Sequence, residues 1–418
     1  PPASINAVLL THAHLDHCGL LPKLVREGFK GKIYCTTATA EIAKIILLDS
    51  AKLLEEDAEH KLKRHKKEGR TGPYPVLPLY TTEDAEACFP LFEPVQYKQP
   101  IEINSSIEAA FYDAGHVLGS SIIKVKANYN GEERTILFSG DIGRPDKPFV
   151  CDPTVFEKAD YILVESTYGD RIHHDTKNIE QLIADAINSA KKAGGNIIVP
   201  SFALERSQEL IYYVNEQLLK NQIPHLMVFL DSPMATKITE VFKNHPELFC
   251  ERTADFIKNH NSPFSLPGLK MVETADESKA INHIKGTVMV IAGSGMCTGG
   301  RIKHHLVNNI SRPECTIMFV GYQAIGTLGR QIVDGNKTVR ILGQQYPVRA
   351  KIVRIQGFSA HADRDELFNW LTKLKTPPRG VFVIHGEPES ANNFAGFVRK
   401  KTGWNVTVPN YQDEIILN

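Results

Sequence analysis

Six residues near the start of the chain, His12-Ala13-His14-Leu15-Asp16-His17, place three imidazoles and one carboxylate directly after the strand-like run 5–10. Neutral imidazole nitrogen and carboxylate oxygen are good first-row metal ligands, and zinc is their usual occupant. Four ligands this close in sequence cannot all reach one ion from a short turn, whereas two ions about 3.5–4 Å apart use them naturally. The plain alternative is a polar turn before a helix, capped by Asp16. Three histidines in six positions after a strand make that the poorer reading.

Two ions need more ligands. His116 stands in Asp113-Ala114-Gly115-His116-Val117-Leu118-Gly119, where nearby glycines let backbone approach a crowded centre. Asp141 ends Ser139-Gly140-Asp141 after the run 135–138. Alone, the first reads as a packed histidine and the second as a turn residue or helix cap; both gain weight by joining the cluster. Glu165-Ser166-Thr167 and His385-Gly386-Glu387 also follow strand-like runs. Strand-end loops are where a rigid sheet presents chemistry.

The elements that must hold these residues alternate along the chain. Short β-branched or aromatic runs lie at 7–10, 135–138, 161–164, 196–199, 226–230, 287–292, 316–320, 351–355 and 381–384. Helical patterns lie near 37–67, 178–192, 205–221, 235–244 and 365–372. This alternation implies an α/β architecture. Metal-type residues stop after about 168 and resume near 357, which predicts a domain of 169–349 inserted between the parts 1–168 and 350–418 of another.

The series His12-x-His14-x-Asp16-His17, His116, Asp141 resembles the metallo-β-lactamase signature. Glu165, Phe358-Ser359-Ala360-His361-Ala362-Asp363 and His385-Gly386-Glu387 resemble the three extra motifs of the β-CASP nucleases. Phe202-Ala203-Leu204-Glu205-Arg206-Ser207-Gln208-Glu209-Leu210 and Gly293-Ser294-Gly295-Met296-Cys297-Thr298-Gly299-Gly300-Arg301 are similar to sequences of the inserted β-CASP domain. The resemblance covers essentially the whole chain. It implies a metallo-β-lactamase αββα sandwich with an inserted α/β domain built on a parallel sheet. The strands that usually open that fold, with an early Asp, do not precede Pro1, so the expectation is a copy lacking upstream strands.

Carried over residue by residue, the resemblance implies two Zn2+ ions. One takes His12, His14 and His116, the other Asp16, His17 and His385, and Asp141 bridges them. It implies a metal-bridged hydroxide as the nucleophile on a phosphodiester, with Asp16 counted in the catalytic group as well as among the ligands. His361 is the expected proton donor to the leaving oxygen, since imidazole titrates near neutrality. Glu165 is its expected carboxylate partner. Asp363 reads equally well as the cap of the helix that follows.

For the substrate, Ser359, Arg206, Ser294 and Arg301 are expected RNA contacts, and the glycines of 293–300 let backbone N–H groups approach a phosphate. The expected function is a zinc-dependent ribonuclease acting on single-stranded RNA. In the family, His at the position of His385 accompanies RNA-directed members. A DNA-directed nuclease and a catalytically silent RNA-processing scaffold are the alternatives; the intact ligand set speaks against the latter. The basic run 60–70 reads as a solvated helix end, because Glu55, Glu56, Asp57 and Glu59 lie just upstream. His173-His174 and His304-His305 read as polar loop and helix-surface positions, not ligands.

Composition bounds the rest. The 418 residues suit two to three domains, and 48 basic residues balance 48 acidic ones, so a phosphate-binding surface must be local. The 7 cysteines are scattered, with no CxxC pair, which fits a reducing compartment: cytoplasmic, or nuclear in a eukaryote. No apolar run approaches the roughly 18 residues of a membrane span. A homodimer is left open.

Overall fold

The computed structural model describes residues 1–173, 178–260 and 262–417. Contacts divide the chain into two compact units, Pro1–Ile172 with His361–Asn418, and His173–Ala360. The first unit contributes the strands β1 (Ala7–Leu9), β2 (Lys32–Thr36), β3 (Phe92–Val95), β4 (Ile101–Asn104), β5 (Ile107–Asp113), β6 (Ser121–Tyr129), β7 (Glu132–Phe138) and β8 (Tyr161–Val164). The second contributes β9 (Ile197–Pro200), β10 (Met227–Asp231), β11 (Leu269–Met271), β12 (Val288–Ala292), β13 (Thr316–Phe319), β14 (Thr338–Ile341), β15 (Gln344–Pro347) and β16 (Lys351–Arg354). The chain then returns to the first unit with β17 (Gly380–Val383) and β18 (Val406–Thr407).

In the first unit, β1-β2-β3 form a parallel sheet and β18-β17-β8-β7-β6-β5-β4 a mixed one. Side-chain alternation joins the two. Ala109 and Phe111 of β5 and Ile123 and Val125 of β6 pack with Leu9, Tyr34 and Val95 of the small sheet. Residues of the opposite parity, Ile122 and Leu137 among them, meet Leu367, Trp370, Phe394 and Val398 of the helices Arg364–Leu371 and Pro388–Thr402. The long helix Thr37–Lys67 lies against β2 and β3. The layers are therefore helix, sheet, sheet, helix, as the metallo-β-lactamase resemblance implies.

The second unit carries an all-parallel sheet of order β11-β10-β12-β9-β13-β16 and a separate β14–β15 hairpin. The strands Ile-Ile-Val-Pro, Val-Met-Val-Ile-Ala and Thr-Ile-Met-Phe are buried throughout, as a sheet covered on both faces requires. β16 belongs to this sheet. That is why the chain leaves the unit at 360/361, where composition alone placed the change at 349/350. Among the described residues no helix is long and apolar enough to cross a membrane.

Candidate metal centre

The ligand-type residues all follow the ends of strands in the first unit. His12 and His14 follow β1, and Asp16 and His17 sit on the short helix Leu15–Cys18. Thr11 anchors this loop, its carbonyl accepting the Ser121 N–H at 2.8 Å. His116 lies in the β5–β6 connection, where Ser120 Oγ accepts the N–H groups of His116 and Val117 at 3.1 and 3.2 Å. Asp141 follows β7, Glu165 follows β8 and His385 follows β17. Glycine is required at two places here. A Cβ on Gly143 would stand 1.6 Å from the Gly115 carbonyl oxygen, and Gly115 itself has φ 63 with the Cys151 carbonyl 2.4 Å from where its Cβ would be.

Two groups of ligand atoms result. In the first, His14 Nδ1 lies 3.1 Å from both His12 Nε2 and His116 Nε2, and Asp141 Oδ2 lies 3.4 and 3.5 Å from those two Nε2 atoms. Four ligands at about 2.0–2.1 Å from one ion stand about 3.3–3.4 Å apart in a tetrahedron, so the spacing fits one ion. In the second, the other Asp141 oxygen, Oδ1, lies 3.5 Å from His17 Nε2 and 3.4 Å from His385 Nε2, and each of these nitrogens is 3.8 Å from Asp16 Oδ2. His17 Nε2 and Asp141 Oδ1 are buried without a hydrogen bond of ordinary geometry. Such orphaned atoms are costly unless something binds them. The donor set is nitrogen and oxygen only, suited to a first-row divalent ion. The two groups differ in access: His12 and His116 are 1 % and 0 % exposed, whereas Asp16 is 64 % and His385 35 % exposed.

Electrostatics agree with ligation. Burial lowers the pKa of His12 and, joined by neighbouring imidazoles, drops those of His14 and His116 well below the usual value. They are held neutral, the form that coordinates. Burial pushes the Asp141 carboxyl up, but His12, His17 and His116 outweigh it and keep the group ionised.

A third grouping stands beside these. His361 Nδ1 is 3.3 Å from Glu165 Oε1 and 3.8 Å from Asp141 Oδ2. Burial alone would depress its pKa, but the Glu165 charge and hydrogen bond raise it to about 9. Glu165 is buried and organises the loops: Oε1 also accepts the Ile142 N–H at 2.7 Å, and Oε2 the Thr167 N–H at 3.2 Å. The segment carrying His361 is laced to the Asp141 loop by a Gly143–His361 bridge and by Ala362 N–H on the Ile142 carbonyl at 2.8 Å. Arg144, buried, extends this with a forked pair to Glu366 at 3.2–3.3 Å. Asp363 caps the helix Arg364–Leu371, its carboxylate accepting the N–H groups of Asp365 and Glu366 at 2.9 Å.

The expected RNA contacts lie in the second unit. Arg206 pairs with Glu209 at 3.1 Å and lies over the Phe358 ring. Ser294 Oγ accepts the N–H groups of Thr298 and Gly299 at 3.0 and 3.2 Å, closing its own loop. Arg301 binds Asp231 Oδ1 at 2.6 Å and the carbonyls of Val272 and Glu273. Ser359 is half-buried, two residues before His361. His305, expected on a helix surface, is instead buried with Nε2 2.5 Å from Asp231 Oδ2, because the helix Ile302–Asn309 turns that face to the core. His174 lies outside the described residues. Sequence reasoning missed Asp231, His305 and the Arg144–Glu366 pair. Only the position of Arg144, three residues after Asp141, was a usable signal.

Comparison with known proteins accords with this geometry. Residues 2–142 match the metallo-beta-lactamase superfamily domain, 207–332 the Beta-Casp domain, and 345–409 the Zn-dependent metallo-hydrolase RNA specificity domain. The chain is 38 % identical over 389 residues to ribonuclease TTHA0252 of Thermus thermophilus, covering 93 % of this chain and 83 % of that one. It is 30 % identical over 426 residues to transcription termination factor FttA of Methanocaldococcus jannaschii, covering 98 % of this chain and 63 % of that longer protein. An RNase J-like protein of the same organism is 29 % identical over 395 residues, covering 94 % and 84 %.

Proposed function

The chain belongs to the β-CASP family of metallo-β-lactamase-fold ribonucleases, and we propose that it is a two-zinc enzyme hydrolysing phosphodiester bonds of single-stranded RNA. The observation that carries this reading is the split of the Asp141 carboxylate, one oxygen in each ligand group. His12, His14 and His116 would hold one ion and Asp16, His17 and His385 the other. Bound there, the ions supply a water whose pKa falls from about 15.7 to about 7, and positive charge for the phosphate.

The chain's own residues do the rest. His12, His14 and His116 are kept neutral by burial and so stay available as ligands. Glu165 accepts from His361 Nδ1, which sets the ring's orientation and favours its protonated form. His361 then delivers the Nε2 proton to the departing sugar oxygen. The backbone ties from Ile142 and Gly143 keep that ring beside Asp141 as charge moves.

The test is a single-turnover assay on labelled single-stranded RNA, DNA of the same sequence and a lactone, with metal content measured on the same preparation. Cleavage of RNA, with about two zinc ions per chain, supports the reading. Preference for DNA or for the lactone, or full activity with no transition metal, overturns it.

A further inference from the structure

The loops that follow β9, β12 and β13 leave the same end of three adjacent strands of the second unit's parallel sheet. Ligands of open α/β sheets bind at that end, outside the carboxyl ends of the strands. Two of these loops present aromatic rings to solvent: Phe202 after β9 is 42 % exposed and Tyr322 after β13 is 47 % exposed. The loop after β12 joins them. The Phe202 ring lies against Gly295, where a Cβ would stand 2.6 Å from the ring. Gln323 donates from Nε2 to the Gly295 carbonyl at 2.9 Å.

These rings are not loose ornaments of mobile turns. The Phe202 carbonyl is held by the buried Ser207 hydroxyl at 2.7 Å. The Tyr322 carbonyl is held by the same Gln323 amide at 3.0 Å, and Gln323 is only 6 % exposed. Gly329, whose N–H bonds the Met296 carbonyl at 3.1 Å, packs against the Gln323 amide. Buried polar side chains thus anchor the backbone under each ring, and each residue still keeps nearly half of its surface exposed. The backbone that carries each ring is therefore fixed before a ligand arrives, which lowers the cost of ordering a contact there.

We propose that Phe202 and Tyr322 form a base-stacking platform, taking unstacked nucleobases of single-stranded RNA on their ring faces. The proposal rests on the ribonuclease reading above and adds a base-directed site separate from the metal ligands. Stacking on aromatic rings tolerates any base, since every base has a π-face. Arg206 and Arg301 are occupied by Glu209 and Asp231, so base contact rather than those two guanidinium groups would hold the strand here.

The test compares three substrates: a single-stranded RNA, the same RNA with abasic positions, and a bis-nitrophenyl phosphodiester. The variants are Phe202→Leu and Tyr322→Ala, which remove a π-face, and Phe202→Tyr and Tyr322→Phe, which keep it. The platform predicts that each of the first two weakens RNA binding about ten-fold or more, as loss of one stacked base does. Phe202→Tyr and Tyr322→Phe should bind as the parent does. Abasic RNA should bind all variants equally weakly, and the small diester should be cleaved equally by all. Cleavage of RNA by the parent protein reports on the ribonuclease reading independently of these ratios. Equal RNA binding by all variants overturns the platform. So does an equal loss on the small diester, which would make the rings structural, or a change in sedimentation, which would make the patch a contact between two copies of the chain.

Discussion

Glu165 Oε1 stands 3.3 Å from His361 Nδ1 and 2.7 Å from the Ile142 amide nitrogen, so one oxygen both holds the imidazole and steadies the loop that carries Asp141. Removing the charge while keeping the oxygen separates the two tasks. Glu165→Gln should preserve the Ile142 contact but lower the pKa of His361, because the Glu165 charge is the main influence raising it against burial. A proton donor works below its pKa, and activity falls as pH rises through that value. The alkaline limb of the pH–rate profile should therefore move to lower pH in the variant. An unmoved limb would dissociate Glu165 from the proton transfer.

His361→Ala should slow RNA cleavage by about 10² to 10⁴ with zinc content retained. The deficit should shrink on a bis-nitrophenyl diester, whose leaving group needs no proton. Loss of metal in this variant, measured by mass spectrometry, would make His361 a ligand instead.

Asp141→Ala should empty both sites, since each of its oxygens faces a different group, whereas His385→Ala should spare the site of His12, His14 and His116. The parent should gain thermal stability on adding zinc, by about 2.7 kcal/mol per site at a hundred-fold excess over Kd. In Asp141→Ala this gain should vanish. A retained stoichiometry of two would refute the bridging role.

Arg144→Ala should cost roughly 2–4 kcal/mol by urea denaturation, somewhat below a fully buried pair because Glu366 keeps partial solvent contact. It should also lower kcat, since the pair ties the helix after His361 to the residues after Asp141. Exchanging the charges, Arg144→Glu with Glu366→Arg, should recover part of both. Unchanged stability in the single variant would show the pair to be idle.

Burial pushes the Asp113 carboxyl up to about 7, against the Gly115 N–H and Lys98. Between the ordinary carboxylate value of about 3.9 and that raised value, the folded state holds a proton the unfolded state lacks. Stability therefore falls as pH rises through this window. Asp113→Asn should gain melting temperature relative to the parent at about pH 8 but not at about pH 4. A difference independent of pH would refute the assignment.

How much of this was legible depended on how local each signal is. The β-branched runs at the centres of the sheets, such as 196–199 and 287–292, read as strands because burial on both faces leaves them continuously apolar. The antiparallel strands β4 to β6 escaped, since Ser-Ile-Ile-Lys-Val-Lys-Ala-Asn-Tyr mixes charges into a half-buried strand. His12, His14, Asp16 and His17 declared themselves by spacing. Arg301 did not declare its partner: beside glycines it reads as a donor for a phosphate, and only the fold brings Asp231 to it from 70 positions away.

The unequal exposure of the two ligand groups has a kinetic consequence. His12 and His116 are buried in one group, whereas Asp16 and His385 are open to water in the other, so an ion held by the second group would exchange with solvent more readily. The ion at the open group would then be the first to leave. A chelator should strip the centre in two phases, and the half-loaded form, trapped by a brief treatment, should keep the ion held by His12, His14 and His116.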